Sequence, residues 1–315
     1  MVFCSLLLLA LLLFFPNIAI DGSRYGASLW LTELLPTLLP YFIAVRLFQY
    51  CLPHAANKRI FLFTGLLCGY PVGASLVARQ YSQNLLSKKS AYFYLGLVNN
   101  PSPMFIMAYC GNRVLGLSQT QSAVLFILLL ISSLVGSLMF RALYSFVSQR
   151  FLKITTTQKT LSTISRVTPS PAKEQSKYAS ASEVLDSIII DSFRVMLTVG
   201  GYVILFSILG QLFHTISCGN FSCGNLSSGN SIVSLLGSGL LEISSGASYL
   251  KAATLSPLYK RALMLAILSF GGLSAAFQTS SIITRAELSL IPYLINKALN
   301  GLIAGMIALL VFRIL

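Results

Sequence analysis

Acidic residues are scarce in this chain: 8 Asp and Glu stand against 22 Lys and Arg in 315 residues. Charged residues of both signs make up only 10% of it, where a soluble domain carries about 25%. A chain so poor in charge cannot cover a water-facing surface, which excludes an ordinary soluble domain. Histidine is scarcer still. His54 and His214 are expected in loops, without metal-ligand spacing and without a candidate nucleophile in an apolar segment. No nucleotide-binding P-loop is found, so ATP coupling within the chain is not expected. The chain therefore reads as no enzyme and implies no cofactor.

Hydrophobic residues account for 55% of the sequence. A membrane-crossing helix needs roughly 20 mainly apolar residues, and about seven such runs occur. They lie near 2–20, 28–50, 91–110, 121–147, 187–213, 261–283 and 289–312. The first begins at Met1 without a basic n-region, and Asn17 to Ile20 form a poor cleavage site, so a retained helix is expected there. The formal charge of +14 fits basic cytoplasmic loops better than a nucleic-acid partner. Cys4, Cys51, Cys68 and Cys110 fall in or near apolar runs and read as packing residues. Cys218 and Cys223 share an uncharged loop without further zinc ligands; a disulfide there and two free thiols both remain open.

Two segments are apolar yet punctuated by Gly, Ser and Pro: residues 60–78 and 231–249. Each reads as a re-entrant hairpin that enters the membrane, turns and leaves on the same side. Exposed backbone N–H and C=O groups are expensive in lipid, so such a break is tolerated only against protein or an aqueous cavity. The segment 148–182, rich in Lys, Arg, Ser and Thr, reads as a cytoplasmic loop. Counting back from it places Arg79, Lys88, Lys89, Lys58 and Arg59 in the cytoplasm only if 60–78 is a hairpin, and puts the N-terminus in the cytoplasm. Counting forwards leaves Lys251, Lys260 and Arg261 outside, against the rule.

The halves resemble each other. Gly65-Leu66-Leu67 matches Gly239-Leu240-Leu241, and Gly73-Ala74-Ser75 matches Gly246-Ala247-Ser248, at a nearly constant offset. The expected fold is thus an all-α polytopic membrane protein, with about seven spanning helices and two re-entrant hairpins in an inverted repeat. Its expected divisions are an extra N-terminal helix (1–27), a first repeat (28–147), the basic loop (148–182) and a second repeat (183–315). Inverted repeats with interrupted helices meeting at mid-bilayer are a secondary-transporter architecture.

Four patches then converge. The first tip offers Tyr70 and Gly73, and the first break offers Asn99, Asn100 and Ser102 beside Pro101 and Pro103. The second tip offers Glu242, Ser244 and Ser245, and the second break Ser274 and Gln278. Prolines remove N–H donors and free earlier carbonyls, which can bind an ion or be capped by side chains. An intramembrane acid such as Glu242 usually faces a cavity or a partner, and suits a proton, a sodium ion or a substrate contact. For each residue the alternative is packing or a satisfied kink. The expected partners are the lipid bilayer and a small-molecule solute, with a homo-oligomer left open. The coupling ion, proton or sodium, is undecided by the sequence.

The stretches Gly69-Tyr-Pro-Val-Gly-Ala74 and Asn99-Asn-Pro-Ser-Pro-Met-Phe-Ile106 resemble the nucleoside-recognition (Gate) domain membrane proteins, and most closely the YlbJ-type sporulation integral membrane proteins. Leu35–Ile43, Asp191–Phe206 and Ser269–Ser274 add to the likeness, which spans about residues 28 to 310. It implies a fold similar to concentrative nucleoside transporters, a bacterial membrane location at the outer forespore membrane, and movement of dipicolinic acid into the forespore. A nucleoside or nucleobase transporter, or a non-transporting sporulation scaffold, are the alternatives. The adjacent Asn-Glu motif of nucleoside transporters is missing.

Overall fold

The structure is a computed structural model that describes residues 6, 9, 10, 12–51, 58–152, 180–217 and 232–314. All regular structure among these residues is helical. The Cys218–Cys223 loop and residues 153–179 of the basic loop lie outside them. So does His54, whereas His214 sits in a helix rather than the expected loop, its ring stacked 5.6 Å from that of Tyr249.

Helix α1 runs Pro16–Cys51, with a π-helical turn at Trp30–Leu34 just ahead of Pro36. A short pair follows, α2 (Lys58–Cys68) and α3 (Val72–Ser82). An interrupted helix comes next: α4 (Lys88–Val98), started by the Ser87 side chain on the Ser90 N–H, then a π-type α5 (Phe105–Val114). The long α6 (Gln119–Leu152) closes this set. The same order then recurs. Helix α7 is Ala181–Ser217, the short pair is α8 (Ile232–Leu241) and α9 (Ile243–Ala252), and the interrupted helix is α10 (Pro257–Phe270) and α11 (Gly272–Ile283). A 3₁₀ turn at Thr284–Ala286 leads to α12 (Leu290–Ile314).

Five helices among the described residues are long and apolar enough to cross a bilayer: Pro16–Cys51, Gln119–Phe146, Ala181–Ile216, Pro257–Ala286 and Leu290–Ile314. The sequence suggested seven. Run 28–50 forms the later part of α1, which begins at Pro16, while part of run 2–20 lies outside the described residues. Its third run, 91–110, is cut by the prolines at 101 and 103. Each piece then has 10 or 11 residues, about 16 Å, half of the hydrocarbon thickness.

Packing follows the small-residue logic of membrane helices rather than an oily core. Gly22 and Gly26 on α1 lie against the backbone of Ile204 and Ile208 on α7, close enough that a Cβ at Gly26 would sit 2.9 Å from the Ile204 Cα. The Trp30 indole N–H donates to the Met196 carbonyl at 3.0 Å and fixes the register of that pair. Helix α12 is polar inside and apolar outside. Tyr293, Asn296, Lys297 and Asn300 are buried, while Leu302, Met306 and Leu310 are more than half exposed. An apolar outer face around a polar inner one suits a lipid surround.

The α1–α7 contact yields a stability test. Gly26→Leu is expected to destabilise the protein by about 1–3 kcal/mol through overpacking. Gly201→Leu, at a helical glycine with open space around it, should stay within about 0.5 kcal/mol. Melting of the two variants in detergent compares them, and equal melting temperatures would contradict the close α1–α7 approach.

Candidate functional site

The first break is a bookkeeping problem solved by side chains. In an unbroken helix the N–H of residue 101 would reach the carbonyl of Leu97, and that of residue 103 the carbonyl of Asn99. Both positions are proline, so both carbonyls lose their donors. The Asn100 amide turns back and donates to Leu97 O at 2.7 Å. The Lys297 ammonium of α12 approaches Asn99 O at 3.4 Å and donates to Asn100 Oδ1 at 2.8 Å. The first tip then docks on the break, with Tyr70 N donating to Asn100 O at 2.9 Å. Gly69 allows this approach: its φ is +68°, and a Cβ there would lie 2.7 Å from Ser102 N.

Asn99 joins three elements. Its Oδ1 accepts from Ala74 N at 3.1 Å, and its Nδ2 donates to Thr279 Oγ1 at 2.8 Å and Tyr293 OH at 2.9 Å. The side chain is fully buried and each amide atom is engaged.

The second tip is a single residue, Glu242. It has extended geometry between α8 and α9, and it caps α9: Oε1 accepts from Ser244 N at 2.9 Å and Oε2 from Ser245 N at 2.6 Å. A carboxylate at a helix N-terminus is stabilised by two backbone donors and the positive end of the dipole. That is how the fold accommodates a buried acid. The second break is made by Gly271 and Gly272, at φ +93° and +71°. Helix α11 starts there with no side-chain cap, so its first N–H groups have neither an intrahelical acceptor nor a capping side chain.

A cavity lies where these parts meet. Tyr70 of the first tip, Pro101, Ser102 and Phe105 of the first break, Glu242, Ile243 and Ser244 of the second tip, and Gly271, Ser274, Ala275 and Gln278 of the second break all line it. Leu34, Leu38, Phe42, Val199 and Val203 of α1 and α7 close its apolar side. It leaves about 40 Å³ for the centres of water molecules, room for a few waters. Gln278 donates weakly to Ser274 Oγ at 3.5 Å, and its Oε1 is buried without a protein partner.

Of the ten residues singled out from the sequence, Tyr70, Ser102, Glu242, Ser244, Ser274 and Gln278 reach the cavity wall. Four do not. Gly73 packs on the Val98 carbonyl, Asn99 and Asn100 hold the break together, and the Ser245 hydroxyl pairs with Ser207 Oγ at 3.0 Å. The polar face of α12 escaped the sequence reading. Asn296 donates to Tyr92 O at 2.9 Å, Asn300 donates to Gly96 O at 3.0 Å, and Lys297 is 1% exposed. The signal was present: a lysine inside an otherwise apolar run of membrane length is rare enough to mark a site.

The chain is similar to the sporulation integral membrane protein YlbJ of Bacillus subtilis (strain 168). The two are 26% identical over an alignment of 342 positions that covers 98% of this chain and 81% of that protein. No family model matches the chain, and no solved structure does. The likeness supports a YlbJ-type protein and, with the apolar helices, an integral membrane protein.

The different engagements of these residues separate them experimentally. Asn99→Ala strips the Ala74 N–H, Thr279 and Tyr293 of a buried partner and should cost about 2–4 kcal/mol. Glu242→Ala removes a cap and should cost about 1–2 kcal/mol. Ser274→Ala removes only the weak 3.5 Å contact from Gln278 at the cavity wall and should stay within about 0.5 kcal/mol. Thermal melts of the purified variants check the order; a Ser274→Ala loss as large as that of Asn99→Ala would contradict it.

Proposed function

We propose that the chain is a secondary transporter, not an enzyme, for a small anionic heteroaromatic solute, dipicolinic acid being the favoured one. In this reading it acts in the outer forespore membrane during spore formation. The observation that carries it is the cavity itself, into which both tips and both breaks deliver polar groups. A scaffold has no need of that convergence.

The recurring order of helix, short pair, interrupted helix and helix supports two inverted repeats, with α2–α3 and α8–α9 as re-entrant hairpins. Corresponding glycines add to this: Gly65 of the first pair lies against Val98, and Gly239 of the second against Ile267, each on the first half of an interrupted helix. Such hairpins keep their irregular backbone against protein, as lipid requires.

The cavity chemistry favours an anion carried on an aromatic ring. The open N-terminus of α11 presents unpaired N–H groups and the positive end of a helix dipole. Ser274 and Gln278 add a hydroxyl and an amide on the first two turns. Both oxygens of Glu242 are turned to N–H groups of α9, which weakens its field on the solute. Tyr70 and Phe105 supply flat apolar surface. The space present holds waters and not a pyridine ring, so loading requires a tip to lift from its break.

Uptake of labelled dipicolinate into proteoliposomes tests the reading. Saturable uptake above protein-free vesicles is expected, with little uptake of labelled uridine. Gln278→Ala should raise KM by about 5–10-fold, the value of one or two lost polar contacts. Uptake of neither solute by folded protein would overturn the proposal. Dipicolinate uptake with an unchanged KM in Gln278→Ala and Ser274→Ala would refute the site and leave transport standing.

A further inference from the structure

The cavity accounts for both tips and for the second break, but not for Lys297. This ammonium is 1% exposed, seven residues from the start of α12, and pairs with no carboxylate among the described residues. The groups facing it are Asn99 and Asn100 of the first break and Gly271 of the second. A Cβ placed on Gly271 would lie 3.4 Å from Lys297 Cε and 4.0 Å from its Nζ. Lys297 thus sits behind the cavity wall, between the two interruptions, on the side of α4 where the helix ends.

That position has a definite chemistry. The C-terminal end of α4 carries the negative end of a helix dipole. Pro103 has freed the Asn99 carbonyl, and the Asn100 side-chain oxygen points to the same spot. Two uncharged oxygens at the carbonyl end of a broken helix are the kind of cage in which transporters hold a coupling sodium ion. Here the cage is filled from within the chain. The Lys297 Nζ donates to Asn100 Oδ1 at 2.8 Å and approaches Asn99 O at 3.4 Å, and when protonated it brings a single positive charge to the cage.

We propose that Lys297 is a tethered cation occupying the place of a coupling sodium ion, so that the transport cycle runs without sodium. A free sodium ion bound to the same two oxygens would lie about 3 Å from the ammonium. At an effective dielectric of about 20, repulsion at that distance weakens binding by on the order of 10⁴-fold. The tether also explains why Asn99 and Asn100 serve the break rather than the cavity: the amide of one and the carbonyl of the other orient the lysine. The first break is held at this point, with Gly271 of the second break beside it, and any movement of the first break against α12 must move that charge or leave it unsolvated.

The inference deepens the transport reading and rests on it for its uptake arm, while a binding measurement stands apart. In proteoliposomes, replacing all sodium by choline should leave wild-type dipicolinate uptake within about twofold. Lys297→Gln, which keeps a donor and loses the charge, should lower uptake by at least about tenfold, and Lys297→Arg should retain more activity than Lys297→Gln. A tenfold fall of wild-type uptake in choline, or wild-type uptake by Lys297→Gln, would overturn the proposal. The second arm needs no solute. Melting of the purified full chain in detergent should be the same in sodium chloride and choline chloride. Lys297→Ala, with its cage emptied, should melt higher in sodium than in choline. If Lys297→Ala does not fold, Lys297→Ser offers the same comparison with a smaller void. Sodium stabilisation of the wild type, or no sodium effect on either folded variant, would count against a tethered cation. Absence of uptake altogether would remove the transport reading, and the melting comparison would still decide the role of Lys297.

Discussion

Backbone polar groups without a partner are costly in a membrane protein, and among the described residues two tips and two breaks interrupt the helices around the cavity. What permits the interruptions is that each tip sits on a break. Tyr70 N meets the Asn100 carbonyl at the first, and Ile243 and Leu241 lie against Gly272 at the second. The rest of the architecture serves that docking. Helices α1 and α7 close on each other through Gly22 and Gly26 and form the apolar wall over one side. Helix α12 brings its polar face to the other side, where Asn296 and Asn300 reach the Tyr92 and Gly96 carbonyls of α4 and Lys297 approaches the Asn99 carbonyl that Pro103 has freed.

Two buried charges illustrate two solutions to the same problem. Glu242 is held locally, by the N–H groups of the helix it starts. Lys297 is held by distant oxygens, the Asn99 carbonyl that Pro103 has freed and the Asn100 side-chain Oδ1. Neither forms an ion pair. An ion pair would lock the elements together, whereas helix-terminus and carbonyl contacts can be exchanged for solute or solvent at comparable energy. A site built in this way can open and close without stranding a charge.

The interruptions were legible in the sequence because proline and paired glycine act on the backbone wherever they stand. Asn99-Asn100-Pro101-Ser102-Pro103 and Gly271-Gly272 break their helices as their composition demands, and Gly69-Tyr70-Pro71 and Glu242 form the turns. The convergence of Tyr70, Ser102, Glu242, Ser244, Ser274 and Gln278 also followed from the internal match between halves. The count of spans is less legible, because apolar runs measure length and not continuity: 91–110 is long enough to cross, yet its prolines divide it into two short helices.

The division of labour between sequence and tertiary structure is clearest on the first break. The sequence by itself determined that Leu97 and Asn99 would present carbonyls without donors, since that follows from two prolines and the i to i−4 rule. It also determined that the chain belongs in lipid, since 10% charge cannot solvate a surface. Only the tertiary structure decided what fills those carbonyls. The Asn100 amide lies 3 residues from its acceptor, but Lys297 comes from 198 residues away. No local pattern encodes a contact over that separation. It depends on how α12 packs against α4, and that packing decides whether a buried lysine is a liability or a tethered ion.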